Sequence, residues 1–376
     1  MRYCGGCSLS EEHPGVEFGP DGLCSLCRLD AAEELLTNYR YTNEVYQEFR
    51  RSGPNPRGEF DCLFMYSGGK DSTWMLDRFV SEGKRVMAYT FDIPFESEHA
   101  AQNLELARER IPATFVLDSD DAGITRMMRE VFNRPVEKPG KYLDEKLPCV
   151  SCRTFFVIRA IIRAYRERIP YIILCADPQQ ILTMESNVRE VVRGFYRVFG
   201  ERLTDELFRG DIEDLLFAED RDLPKIVFPF IATRHEYDPD TMISELKAKG
   251  LYQSSPLETH CKLLPLLNYY SFKNYGCMFY KLNAASHVRS VRRNKDYDRS
   301  TFSIKFPRTL DLVDVESSLR RVVLAIAAGE GEPADHEQTL IDIFQRLDAE
   351  PDAARFVARQ FLDMRAVAAD MGIRLN

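Results

Sequence analysis

The chain has 376 residues, 44% hydrophobic and 29% charged, with a formal net charge of −9. That length accommodates one large α/β domain with additions. The acidic balance argues against a uniformly basic, nonspecific nucleic-acid binder. No run of about 18 apolar residues occurs, so no transmembrane helix and no membrane partner are expected. The start, Met1-Arg2-Tyr3-Cys4-Gly5-Gly6-Cys7, lacks the apolar core of a signal peptide, and the expected location is the cytoplasm. Ten cysteines are many for a reducing compartment. Six of them form three Cys-x-x-Cys pairs, at Cys4/Cys7, Cys24/Cys27 and Cys149/Cys152, a pattern that points to metal.

In chain order, residues 1–30 are poor in hydrophobics and too short to fold on a core of their own. Cys4, Cys7, Cys24 and Cys27 supply four thiolates from two tight knuckles, the tetrahedral set that a structural Zn²⁺ prefers. A module this small takes its folding energy from the metal. An iron–sulfur site and unliganded thiols are the alternatives. Residues 31–50 read as a connecting helix, and the turn-rich stretch Ser52–Gly58 separates it from the main domain.

From Asp61 onward strand and helix alternate. Strands are expected at Cys62–Tyr66, Arg85–Phe91, Thr114–Leu117 and Tyr171–Cys175, with helices at Ser72–Ser81, Glu98–Arg110, Ala122–Phe132 and Arg153–Arg168. That order predicts an α/β fold, a parallel sheet with helices on both faces. Ligands then bind at the carboxyl ends of the strands. Residues 181–260 read as mostly helical, and the chain past Pro307 as helical and acidic without recognisable chemistry. The expected divisions are 1–30, a zinc ribbon; 31–58, connecting helix and linker; 59–180, the nucleotide-binding domain; 181–307, a helical substrate region; and 308–376, a helical tail.

Ser67-Gly68-Gly69-Lys70-Asp71-Ser72 lies between the first strand and its helix. Gly68 and Gly69 let backbone N–H groups turn inward and cradle a phosphate, and the helix adds its N-terminal dipole. Lys70 brings a point charge to phosphate oxygens. Ser67 and Ser72 offer hydroxyl donors, and Asp71 suits a Mg²⁺ shared with the phosphates. The Walker A spacing is absent.

This loop resembles that of the PP-loop ATP pyrophosphatase superfamily, and the resemblance runs from about Asp61 to Pro178. It implies an adenine nucleotide α-hydrolase-like fold, ATP as substrate, cleavage between the α and β phosphates, and transfer of AMP to a substrate oxygen. It also implies adenine contacts at Thr90, Phe91 and Asp92. The ribbon, with Gly22-Leu23-Cys24-Ser25-Leu26-Cys27, is similar to that of N-acetyl sugar amidotransferases, and some tRNA 2-thiouridine synthetases carry terminal ribbons too.

The Cys149/Cys152 pair resembles the one that tRNA 2-thiocytidine and 2-thiouridine synthetases carry at the same point, followed by a third cysteine. The resemblance implies a [4Fe-4S] cluster on Cys149, Cys152 and Cys261, with Cys277 in reserve for the third place and one iron left open for sulfur. A second zinc site completed by His260 or Cys261, a persulfide-forming redox pair and plain buried thiols are the other readings. Two departures leave a small molecule or nucleotide as open as a tRNA. The chain reads Ala176-Asp177-Pro178-Gln179-Gln180 where the thiolases have Gly-His and acidic residues, and Cys261 lies far from Cys152.

Cys62 and Cys175 fall inside expected strands and read as core residues. The basic stretch Arg289–Lys295 reads as a solvated loop or a phosphate clamp. His260 offers proton transfer or a structural role. Tyr269, Tyr270, Phe272 and Tyr275 fit either a base pocket or a core. The expected activity is an adenylating sulfurtransferase fed by a sulfur donor. The competing activity is an amidotransferase acting on an N-acetyl sugar with ammonia from a separate glutaminase. An ATP-binding regulatory module is the non-enzymatic reading, and a homodimer is compatible with each.

Overall fold

The computed structural model describes residues 2–7, 9–13, 16–28, 32–96, 98–134, 147–176, 185–208, 210–233, 237–253, 261–279, 281–282, 285, 313–346 and 351–375, with backbone alone for 32–39, 99, 231–232 and 313–314. The elements that position the sites are α1 (Ser25–Arg28), α2 (Ala32–Arg51), β1 (Cys62–Met65), α3 (Lys70–Ser81), β2 (Val86–Asp92), α4 (Glu98–Arg110), β3 (Thr114–Ser119), α5 (Asp121–Asn133), α6 (Leu147–Arg166), β4 (Tyr171–Leu174) and β5 (Lys225–Val227). The chain divides into two compact units. One holds residues 32–124 and 151–254, the other residues 1–31, 125–150 and 255–376.

The first unit is built on a five-stranded, wholly parallel sheet in the order β3-β2-β1-β4-β5. Cys62, Leu63 and Phe64 of β1 and Ile172 and Ile173 of β4 are fully buried, as expected of strands covered on both faces. The register decides which side chains share a face. Phe64 lies beside Ala88 and Met65 beside Tyr89, so Phe64 and Tyr89 point to opposite faces. Phe79 of α3 meets Phe64 edge-on at 6.2 Å, and Phe155 of α6 meets Phe91, on the Tyr89 face, at 5.5 Å. Helices therefore cover both faces, as the alternating pattern predicts. Strand order reverses between β1 and β4, and a crevice opens at the carboxyl ends of such a pair.

Three local expectations are corrected. Within 181–260, Lys225-Ile226-Val227 forms β5 on the free edge of β4, too short to show periodicity in sequence. α6 begins at Leu147, not at Arg153. Pro148 suits a first helical turn, where its fixed φ is already helical and its missing N–H costs nothing. The helix therefore takes in Cys149 and Cys152. Cys175 lies one residue past β4, whose pairing with β1 ends at Leu174 beside Met65.

The second unit joins the N-terminal cysteine knuckles to the helices Leu264–Tyr275, Val313–Ala328, Pro333–Arg346, Pro351–Leu362 and Met364–Met371. His13 stacks on Tyr275 at 5.3 Å, Arg320 pairs with Glu12 at 2.9 Å, and Lys281 lies 4.4 Å from the Tyr3 ring centroid. Lys281 also pairs with Glu316 at 2.7 Å, both nearly buried. Among the described residues, no helix is long and apolar enough to cross a membrane.

Candidate functional site

The loop after β1 stands at the switch point of the sheet. Gly68 takes φ 69°, and a Cβ there would lie 2.7 Å from the Ala100 carbonyl oxygen. Both the left-handed backbone and the contact with α4 require glycine. Gly69 caps α3 in extended conformation and brings no side chain over the helix end. The first-turn N–H groups of any helix lack intrahelical acceptors, so this end suits an anion. The Lys70 ammonium lies 3.4 Å from Asp71 Oδ2, both about one-fifth exposed.

The two serines differ. Ser67 is exposed, whereas the buried Ser72 hydroxyl donates to the Gly69 carbonyl at 3.0 Å and lies 3.2 Å from Ser67 Oγ. Ser72 thus braces the loop from within. Thr73 adds a second brace to the same carbonyl at 2.9 Å and meets the Tyr66 hydroxyl at 3.0 Å.

Thr90 and Phe91 point to opposite faces of β2. The Thr90 hydroxyl donates to the Tyr66 carbonyl at 3.0 Å, and Phe91 stacks on Phe156 at 5.0 Å beneath α6. Asp92 is exposed at the strand end. Cys175, half-buried past β4, has its thiol pushed well above the usual range by burial, then by the charge of Asp71 and by Cys62. It is protonated at neutral pH and is a poor nucleophile. Cys62 is fully buried in β1 and its thiol is likewise pushed up by burial, then by Asp61.

Cys149 and Cys152 are half-buried in the first turns of α6. Their three-residue spacing puts both on one side of the helix. Cys261 is half-buried and its carbonyl accepts from Leu264 N–H at 3.3 Å, which places it just ahead of the helix Leu264–Tyr275. Cys277 is fully buried. Tyr269, Tyr270, Phe272 and Tyr275 are at most 6% exposed and are core residues of their unit. His260, Asp177–Gln180 and the Arg289–Lys295 stretch lie outside the described residues.

The N-terminal thiols converge. Cys4 and Cys27 Sγ are 3.7 Å apart, Cys7 and Cys24 Sγ are 3.6 Å apart, and all four lie within 4.8 Å of one another. Four sulfurs at about 2.3 Å from a tetrahedral zinc stand about 3.8 Å apart, so the donor set fits that ion. Cys4 Sγ accepts the N–H groups of Gly6 at 3.3 Å and Cys24 at 3.2 Å. Hydrogen bonds with Cys27 and then Cys7 pull the Cys24 thiol down. The Cys27 thiol is driven up, first by its hydrogen bond to Cys24, then by that to Cys7 and by burial. Among the described residues this is the group of three or more metal-donor atoms so closely gathered.

One network was not visible in the sequence. Arg159 of α6 forks onto Asp118 of β3, Nη2 to Oδ1 at 3.1 Å and Nε to Oδ2 at 3.3 Å, and the Tyr89 hydroxyl donates to the same carboxylate. Burial and then Asp118 push the Tyr89 hydroxyl pKa up, so it remains a donor. A signal existed: Arg159 follows Cys152 by seven residues, two helical turns on the same face. The ribbon's partners Tyr275 and Arg320 gave no signal, since their separation from His13 and Glu12 along the chain exceeds any local periodicity.

No family model and no curated protein matches the chain. Among solved structures it is similar to NMN synthetase from Francisella tularensis, at 12% identity and TM-score 0.30 over 70% of this chain and 96% of that one. It is similar to the U34-tRNA thiolase NcsA from Methanococcus maripaludis with its [4Fe-4S] cluster, at 16% identity and TM-score 0.32 over 81% and 89%. NAD+ synthetase from Burkholderia pseudomallei follows at 13% identity and TM-score 0.25 over 75% and 92%. Likeness of this degree carries no argument about chemistry, which rests on the residues.

Proposed function

We propose that the chain is an ATP-dependent sulfurtransferase that adenylates a carbonyl oxygen of a nucleotide, a tRNA base or a small molecule and replaces it with sulfur. The observation that carries this reading is the Gly68-Gly69-Lys70 loop at the switch point of a parallel sheet whose helix α6 bears two thiols on one side. The loop backbone and Lys70 hold the polyphosphate of ATP. Asp71 holds Mg²⁺, which would neutralise phosphate charge when bound. The substrate oxygen attacks the α-phosphorus, the bond to the bridging oxygen breaks, and pyrophosphate leaves. A sulfur nucleophile then attacks the activated carbon and AMP departs with the original oxygen.

Cys149, Cys152 and Cys261 are the residues proposed to hold a [4Fe-4S] cluster, which when bound supplies an open iron for sulfur. Cys4, Cys7, Cys24 and Cys27 are proposed to hold a structural Zn²⁺ with no open position. The protein is proposed to act in the cytoplasm.

The test is anaerobic purification followed by iron, sulfide and zinc analysis, with Cys149→Ala alongside. About four irons and sulfides plus one zinc per chain, with the iron lost in the variant, supports the reading. Zinc alone, with no iron or sulfide after reconstitution, sinks sulfur transfer through a cluster and moves the reading to ammonia from a glutaminase or to persulfide chemistry at the Cys149/Cys152 pair. No pyrophosphate release from ATP across candidate substrates, with ATP still bound, leaves a regulatory module.

A further inference from the structure

We propose that Arg159 is a positioning residue, one that sets where the Cys152 thiol stands above the sheet through its grip on Asp118. This role rests on the sulfur-transfer reading for its meaning and on the geometry of one unit for its content.

α6 enters β4 through residues 167–170, so it runs antiparallel to the strands with its first turns at their carboxyl edge. Asp118 is the register partner of Phe91, the residue before the last of β2. It is held by three donors, the Arg159 fork and the Tyr89 hydroxyl, drawn from a helix and a neighbouring strand. The guanidinium carbon lies 5.8 Å from the Phe91 ring centroid. Phe91 in turn stacks on Phe156 at 5.0 Å and meets Phe155 edge-on at 5.5 Å.

Phe155, Phe156 and Arg159 therefore define the sheet-facing stripe of α6. Cys152 precedes Arg159 by seven residues, which is about 20° around the helix and about 10 Å along it. It lies in the same stripe, between the two phenylalanines in angle. Since Arg159 already reaches the end of β3, that step carries Cys152 past the strand ends. The same edge of the sheet carries the phosphate loop. Ring stacks alone let a helix slide or roll. A two-point fork onto a carboxylate that is itself fixed from the strand resists both motions.

The test compares the full chain with Arg159→Met, Arg159→Lys and Asp118→Asn by the rate of iodoacetamide alkylation at each cysteine, read by mass spectrometry. Cys62, buried in β1, reports global unfolding. Arg159→Met and Asp118→Asn are expected to change the Cys152 rate about tenfold while Cys62 stays silent, the effect of losing a charge-assisted pair. Arg159→Lys is expected to recover part of the parent rate, because an ammonium keeps the charge but not the fork. Unchanged Cys152 rates with Cys62 silent overturn the proposal. So does a uniform change at Cys149, Cys175 and Cys261, which is what general loosening produces. Should Arg159→Met expose Cys62, the milder Arg159→Lys and Asp118→Asn decide by the same criteria. A parent protein that takes up no iron sinks the sulfur-transfer reading and leaves this comparison standing.

Discussion

Gly68 faces the backbone of Ala100 so closely that a Cβ on the glycine would stand 2.7 Å from the Ala100 carbonyl oxygen, and its φ of 69° lies in the left-handed region. The phosphate loop is thus pressed between α3 and α4 with no room for a side chain. Gly68→Ala must either distort the turn or push α4 away. It is expected to cost about 1–3 kcal/mol of stability and to abolish ATP binding measured by calorimetry. A variant that binds ATP as the parent does would show that the loop does not hold the nucleotide.

Acid sensitivity follows from Asp61. Burial alone would raise its pKa, but hydrogen bonds from the Arg85 side chain and N–H, then from Asn55 N–H, outweigh this and hold it below the usual value. The Arg85 pair spans 2.6 Å with Asp61 nearly buried. A depressed folded value means that the folded state keeps the charge that the unfolded state has already lost. The stabilisation is therefore fully present above about pH 4, the unfolded value, and disappears as pH falls through the folded value. Asp61→Asn should cost about 1 kcal/mol at neutral pH, because the Arg85 side chain is 42% exposed and keeps much of its hydration. In thermal melts the gap between parent and variant should close on acidification. A gap that stays constant with pH would assign the loss to shape instead of charge.

Metal removal should act on the second unit. Without a cation the gathered thiols of Cys4, Cys7, Cys24 and Cys27 repel one another once ionised. Chelation of the proposed zinc, or Cys27→Ser, is expected to lower the melting temperature and to speed hydrogen exchange in the helices Leu264–Tyr275 and Val313–Ala328. Those helices carry the partners Tyr275 and Arg320 of the ribbon residues His13 and Glu12. Exchange confined to residues 2–28 would show that the ribbon does not brace them.

Lys281 and Glu316 form a pair whose side chains are 4% and 12% exposed, and Glu316 also accepts the Met278 N–H at 2.9 Å. Removing one partner leaves the other charge buried. Lys281→Met is expected to cost about 3–5 kcal/mol, and Lys281→Met with Glu316→Gln less than the single change, in chemical denaturation. Additive losses would show that the two side chains do not act as a pair.

Where the loop and the thiols stand was legible because the signals are local. A Gly-Gly-Lys turn between an apolar run and a helix places a loop at the carboxyl end of the first strand within six residues. Paired Cys-x-x-Cys knuckles gather four thiols, since each pair is brought together by its short spacing. The strand–helix alternation specified the parallel sheet, because strands buried on both faces read as apolar runs such as Leu63-Phe64 and Ile172-Ile173.

What only the tertiary structure decided involves residues far apart in the chain. β5 became a strand through pairing with β4, not through its three-residue composition. Asp118 and Arg159, forty-one residues apart, met because right-handed crossovers return α6 to the face that Tyr89 and Phe91 present. His13 found Tyr275, and Lys281 found Glu316, because helices distant in sequence had to bury their apolar stripes together. The sequence by itself determined the chemistry that these groups carry, since that resides in residue type and short spacing. Which of them stand together depended on how the buried faces were shared, and that is a property of the whole fold.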